Sequence, residues 1–159
     1  MSTADAPLDA ADRAAILELA AHAPSPRAAC IDALKYVQSR RRFVSDTALA
    51  ETAALLGMST AELDEVATFY NLIFRRPVGA KVILLCDSIA CWMLGRDKLA
   101  ARITQRLGIR AGETTADQKF TLLPIVCLGA CDHAPALMIG ETLHGNVDAA
   151  RLDQLLETA

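Results

Sequence analysis

The sequence predicts an α/β protein in two parts, a four-helix bundle-like region over residues 8–76 and an α/β unit over residues 77–159. Three observations carry this. Apolar residues recur at helical spacing as far as Tyr70, the pattern breaks at Arg75, Arg76, Pro77 and Gly79, and the run Val82, Ile83, Leu84, Leu85 that follows has the continuous apolar character of a buried strand. A length of 159 residues suits one or two small domains. Thirty alanines against 4% aromatic residues point to helices packed closely through small side chains and to an aliphatic core.

Each helix of the first part has a legible boundary. Asp9 is placed to cap a helix that buries Ile16, Leu17 and Leu19 and stops at Pro24 and Pro26. Ser25 is expected to cap the next, with Pro26 at its first position, where a missing N–H costs nothing. Cys30, Ala33, Leu34 and Val37 give that helix one apolar face, and Arg40, Arg41 and Arg42 suit its C-terminal dipole. A third helix starts near Ser45 and ends at Gly57; Ser59 and Glu62 form a capping box for a fourth, which carries Leu63, Val66, Ala67 and Tyr70.

The second part reads strand, helix, strand, strand, strand, helix. The helix from about Gly95 to Leu107 follows the first strand, and an extended run spans Phe120 to Val126. Ala136–Ile139 and Thr142–His144 flank Gly140 and Glu141 as a tight hairpin, and Asp148 caps a last helix with Leu152, Leu155 and Leu156 inward.

Cysteine spacing carries the chemistry. Cys86 and Cys91 enclose four residues, Cys127 and Cys131 enclose three, and each pair follows a predicted strand. Two such strands side by side bring both loops to one sheet edge, where four thiolates can converge. Four thiolates in two pairs suit a [2Fe-2S] cluster, each tetrahedral iron taking two cysteine sulfurs and two bridging sulfides. The oxidised cluster then carries charge -2, and Asp87 and Asp132, each directly after a ligand, add to the resistance against an incoming electron; the site is expected to have a low potential. Amides at Leu128, Gly129 and Ala130 are placed to donate to sulfur, and Trp92 and Met93 are expected to cover the site against water.

Other readings fit less well. A structural zinc knuckle usually pairs cysteines across a rigid turn of two to four residues. A Rieske centre needs two Cys-x-His units, and Cys131 to His133 is the one such unit here. Neither pair has the Cys-x-x-Cys spacing of a thiol–disulfide enzyme. Cys30 fits a small buried hydrophobe, His22 and His144 fit surface or loop positions, and His133 fits a donor or contact residue beside the site. Residues 48–70 have a helix-turn-helix outline, but Glu62, Asp64 and Glu65 would repel phosphate, so no nucleic-acid partner is expected. The net charge of -3 gives no basic stripe. The longest charge-free stretch, Thr121 to Cys131, is too short to span a bilayer, and the first twenty residues lack the basic head of a signal peptide, so a cytoplasmic protein without membrane insertion is expected.

Taken together, Pro26 to Val37, the Val66-Ala67-Thr68-Phe69-Tyr70 segment, Pro77-Val78-Gly79, the loop opening Cys86-Asp87-Ser88, the Gly112-Glu113-Thr114-Thr115 turn, Phe120-Thr121-Leu122 and the Cys127-Leu128-Gly129-Ala130-Cys131 loop resemble one family, the E-type small subunits of NADH-quinone oxidoreductase, respiratory complex I. The resemblance covers nearly the whole chain from Asp9 onward. It implies a helical region followed by a thioredoxin-like [2Fe-2S] ferredoxin domain with a mixed four-stranded sheet, one cluster per chain, Cys86 and Cys91 on one iron and Cys127 and Cys131 on the other. It further implies one-electron exchange with FMN, which is bound together with NAD in the F-type partner subunit and not here, contact with the G-type subunit, and a cytoplasmic location on the inner face of the bacterial membrane through the complex. Related small subunits of formate dehydrogenases and hydrogenase diaphorases are the alternative parents. The sequence departs from the family at Arg41, Arg42 and Phe43, where glycine and tryptophan are common.

Overall fold

The computed structural model describes residues 6–159, which form two compact units that meet in sequence at Pro77 and Val78. The first unit is helical: α1 (Ala10–His22), a 3-10 turn (Pro26–Ala29), α2 (Cys30–Arg41), α3 (Asp46–Leu55) and α4 (Thr60–Phe69). Its core is aliphatic, with Ile16, Leu34, Val37, Leu49 and Leu63 fully buried among alanines. The capping boxes at Asp9/Asp12 and Ser59/Glu62 are both formed, and Ser45 accepts from the Ala48 amide.

Three expectations here need correction. Leu17 is half exposed, because the apolar face of α1 is narrowed to Ile16 and the alanines beside it. Ser25 makes no side-chain cap; the chain first turns through the 3-10 segment, and α2 begins at Cys30. Tyr70 lies just beyond α4 with an extended backbone and is exposed. Arg42 ends α2 in the left-handed region, at φ 70°, so an arginine holds a conformation that glycine adopts freely.

Asp12 is the polar centre of this unit. It is 1% exposed, yet Arg41 reaches it at 2.7 Å and Arg40 at 3.2 Å, while the Asp9 amide donates to it at 3.3 Å. Burial pushes the Asp12 carboxyl up, and the hydrogen bond and charge of Arg41, the Asp9 amide and the charge of Arg40 more than reverse this, so it stays ionised below its ordinary range.

The second unit comprises β1 (Lys81–Cys86), α5 (Ile89–Met93), α6 (Arg96–Leu107), β2 (Phe120–Ile125), a 3-10 turn (Cys131–His133), β3 (Leu137–Ile139), β4 (Thr142–His144) and α7 (Ala149–Thr158). The sheet order is β2-β1-β3-β4, with β1 parallel to β2 and the other neighbours antiparallel, a mixed four-stranded sheet. Pro124, which has no amide to give, is tolerated because β2 is an edge strand. Leu99 and Ile103 of α6 and Leu152, Leu155 and Leu156 of α7 share a core with Ile83, Leu85, Leu122 and Leu137 of the sheet. A bidentate pair from Arg102 to Asp153 ties the two helices together. Residue patterns do not reveal α5, which starts within the segment between Cys86 and Cys91 and runs through Cys91 to Met93, and they extend β2 one residue too far, since Val126 is outside the strand and exposed.

Two outcomes follow for the helical unit. Asp12→Asn is expected to destabilise the chain by about 2–4 kcal/mol in chemical denaturation, since it leaves Arg41 without its buried counter-charge. Because the folded carboxyl is depressed, its contribution is complete above about pH 3.9 and disappears as pH falls through the folded value, and the variant lacks this acid limb. Arg42→Gly is expected to raise the midpoint, a gain of about 1 kcal/mol from relieving the left-handed conformation.

Candidate metal centre

The pairing of β1 with β2 sets Cys86 opposite Ile125, and one further bond, from the Asp87 amide to the Ile125 carbonyl at 2.7 Å, carries the two chains past the strand ends together. Both cysteine segments therefore leave the sheet at one edge. After Asp87 the chain turns into α5, whose N-cap Ser88 accepts from the Cys91 amide at 3.5 Å. This single turn returns Cys91 to the side where Cys86 lies. On the other segment, Gly129 adopts φ 76° and its amide donates to Cys127 Sγ at 3.3 Å, before the 3-10 turn that begins at Cys131.

The structure brings both predicted cysteine pairs to the same end of the sheet. Cys127 Sγ and Cys131 Sγ are 3.7 Å apart. Cys86 Sγ donates to Ser88 Oγ at 3.4 Å, and Ser88 and the charge of Cys86 both act on Cys131, so the two cysteine segments face one another. None is in a disulfide. Two thiolates on one tetrahedral metal with bonds of about 2.3 Å stand about 3.8 Å apart, which is the observed spacing of the Cys127–Cys131 pair to within 0.1 Å. Among the described residues no group of three or more His, Cys, Asp or Glu is gathered closely enough to hold a single metal ion.

The donors differ in exposure. Cys86 and Cys91 are buried at 2% and 0% among Ala134, Ala136 and Leu128, whereas Cys127 and Cys131 are exposed. Burial pushes the Cys86 thiol up, and hydrogen bonds from Ser88, the Leu128 amide and Cys91 outweigh it, leaving the thiol below its ordinary value. Cys131 is shifted the other way, raised first by its hydrogen bond with Cys127 and by the charge of that neighbour. Crowded thiolates repel, and a cationic iron core removes the repulsion. The donor set thus fits a [2Fe-2S] group.

Amides reach the sulfurs from more directions than the sequence indicates. The Leu128 and Gly129 amides are expected from their place in the loop; the Ala136 amide, which donates to Cys91 Sγ at 3.4 Å, is not, because it comes from the turn into β3. Trp92 and Met93 do not cover the site. They are 57% and 72% exposed, with Ile89, Leu94 and Val126 also outward, so this edge is apolar and open. His133 is held by the segment just after β4: its carbonyl accepts from the Asn146 amide at 2.6 Å, and Asn146 Nδ2 lies 3.4 Å from its ring. Cys30 lies in the helical unit, partly buried against that core.

Residues 16–159 match the thioredoxin-like [2Fe-2S] ferredoxin family. The chain belongs to that family. This ferredoxin is also 45% identical over 150 residues to the E-type subunits of NADH-quinone oxidoreductase from Pseudomonas aeruginosa and Escherichia coli, a match covering 94% of this chain and 90% of each relative. The corresponding E-type protein numbered 2 in Rhizobium meliloti is 42% identical, over 87% of this chain and 83% of the relative. Among solved structures it resembles NAD+-reducing [NiFe]-hydrogenase in the H2-reduced state, at TM-score 0.70 and 28% identity over 81% of this chain, and in the air-oxidised state, at TM-score 0.66 and 27% identity over 84%. The ferredoxin spans 22% of those hydrogenase chains.

Gly145, just after β4, lets the chain approach the second cysteine segment closely, since a Cβ there would fall 2.5 Å from His133 Cβ and 2.9 Å from its carbonyl oxygen. Gly145→Ala is expected to push the 3-10 turn aside and to cost about 1–3 kcal/mol in the denaturation of the ferredoxin. An unchanged midpoint would contradict this contact.

Proposed function

We propose that the chain is the one-electron carrier subunit of an NADH:quinone oxidoreductase and that Cys86, Cys91, Cys127 and Cys131 hold its [2Fe-2S] cluster. One observation carries the reading: two cysteine pairs leave the sheet at the joint end of two parallel strands, in a chain 45% identical over 94% of its length to an E-type subunit of NADH-quinone oxidoreductase. The cluster, when bound, supplies a site for a single electron. The protein supplies four soft donors, amides from Leu128, Gly129 and Ala136 that lower the cost of added negative charge on sulfur, and an alanine-lined wall that keeps water from Cys86 and Cys91.

The domain division serves this role, with residues 8–76 as the helical docking region and 77–159 as the ferredoxin. The partner is the F-type subunit that binds NADH and FMN, with the G-type subunit adjacent, and hydride chemistry belongs to the flavin there. Exposed Ile89, Trp92, Met93 and Val126 beside the cysteines, and Phe69, 81% exposed in the helical unit, support partner contact, because apolar side chains of this size are stable when covered. Attachment through the complex places the chain at the inner face of the bacterial membrane; among the described residues no helix is long and apolar enough to cross one. The second reading, the equivalent subunit of a soluble NAD-linked hydrogenase, is favoured by the structural likeness at TM-score 0.70 but has 28% identity against 45%.

Anaerobically reconstituted full-length chain is expected to bind two irons and two sulfides, to be red-brown, and to give a paramagnetic signal on one-electron reduction. Cys127→Ala is expected to lose all three properties while far-ultraviolet circular dichroism keeps its helical signal. An intact cluster in that variant, or a colourless wild-type protein holding zinc, would overturn the assignment.

A further inference from the structure

Asp87 directly follows Cys86, and on its own its carboxylate opposes the arrival of an electron at the neighbouring sulfur. The structure places a cation against it. Arg96, the first residue of α6, brings Nε to 3.2 Å from Asp87 Oδ1, and its Nη1 donates to Asp97 at 3.0 Å. The Arg96 side chain is 21% exposed, and its Nε is shut off from water without an aligned hydrogen-bond acceptor, so Asp87 meets it as a charge rather than as a directed hydrogen bond. Position adds to the oddity, because a cation in the first turn of a twelve-residue helix opposes the helix dipole. Asp87 is itself anchored, its amide bonded to Ile125 at 2.7 Å, so the pair bridges the end of β2, the first cysteine segment and the start of α6. Among the described residues no arginine or lysine pairs with Asp132 of the second segment; it is exposed, and the group beside it is His133 at 3.4 Å.

We propose that Arg96 is a positioning residue for electron uptake, neutralising Asp87 beside Cys86 and thereby raising the reduction potential of the cluster. This rests on the ligand assignment proposed above. In the full-length reconstituted chain, Arg96→Gln leaves Asp87 uncompensated, and the ratio of reduced to oxidised cluster at a fixed ambient potential falls about tenfold, a downward shift of about 59 mV for a one-electron couple. Asp87→Asn shifts the potential upward, and the Asp87→Asn/Arg96→Gln double variant returns close to wild type. Arg96→Lys keeps the charge and stays close to wild type, which a directed guanidinium contact would not allow.

Potentials are read from paramagnetic-resonance redox titration, with iron content and the thermal midpoint measured alongside. A purely structural role predicts lost iron or a lowered midpoint with the potential of the surviving clusters unmoved, and that result overturns the proposal. If Arg96→Gln assembles too little cluster to titrate, Asp87→Asn and Arg96→Lys decide: an unmoved potential in Asp87→Asn, or a fallen one in Arg96→Lys, refutes it. A wild-type chain that takes up no [2Fe-2S] cluster overturns the parent assignment and this inference with it; a wild-type cluster whose potential ignores Arg96→Gln overturns this inference alone.

Discussion

The in-register parallel pairing of β1 with β2 is the constraint on which the site depends. With Cys86 opposite Ile125 and the Asp87 amide bonded to Ile125, the two cysteine segments emerge side by side although 35 residues separate Cys91 from Cys127 in sequence. A slip of one residue would turn the opposite face of β2 to the core, and the burial of Phe120 and Leu122 against that core opposes it. On the other side of β1, the Cys86 amide bonds the Ala136 carbonyl at 3.2 Å, and the Ala136 amide turns to Cys91 Sγ. Three stretches of chain thus approach the sulfurs, each located by sheet hydrogen bonds.

The four sulfurs are unequal because the two segments leave the sheet differently. Cys86 is still part of the central strand and shares its burial, and Cys91 is drawn beneath it by α5. Cys127 comes after the edge strand has ended, and the left-handed Gly129 carries the chain outward to Cys131. Added negative charge is therefore met at the buried pair by amides and at the exposed pair chiefly by solvent or a covering partner. Asp87 is itself 49% exposed against 77% for Asp132, but it adjoins the buried Cys86 whereas Asp132 adjoins an exposed sulfur, so a charge at Asp87 is screened less and its placement matters more.

Most of the architecture is readable from residue patterns because its determinants are local. Asp9, Ser45, Ser59 and Asp148 cap the helices they precede, and Gly57 and Gly140 take the left-handed turns that their positions require. What escapes such patterns depends on distant chain. Leu17 and Trp92 look like core residues by type, but exposure is decided by what packs opposite them. The Ala136 amide reaches sulfur through a turn 45 residues from Cys91, and Arg96 meets Asp87 only because α6 starts where α5 ends. The cysteine pattern itself is readable, since ligand spacing follows from metal geometry, whereas the charges around it follow from tertiary placement.

The unequal spacers of four and three residues have a structural cause. Between Cys86 and Cys91 the chain must leave a buried strand and come back, and a helical turn does this with Asp87 as the exit, Ser88 as the cap and Cys91 on the inner face. That geometry leaves Ile89, Trp92 and Met93 on the outer face, so the apolar rim is a by-product of burying Cys91 with one short helix. Between Cys127 and Cys131 there is no burial to recover, and a turn through Gly129 closes the sulfur pair to 3.7 Å with one residue fewer. Exchanging the two loops would lengthen the exposed segment and deny the buried one its cap, which ties the order of the spacers to the positions of β1 and β2 in the sheet.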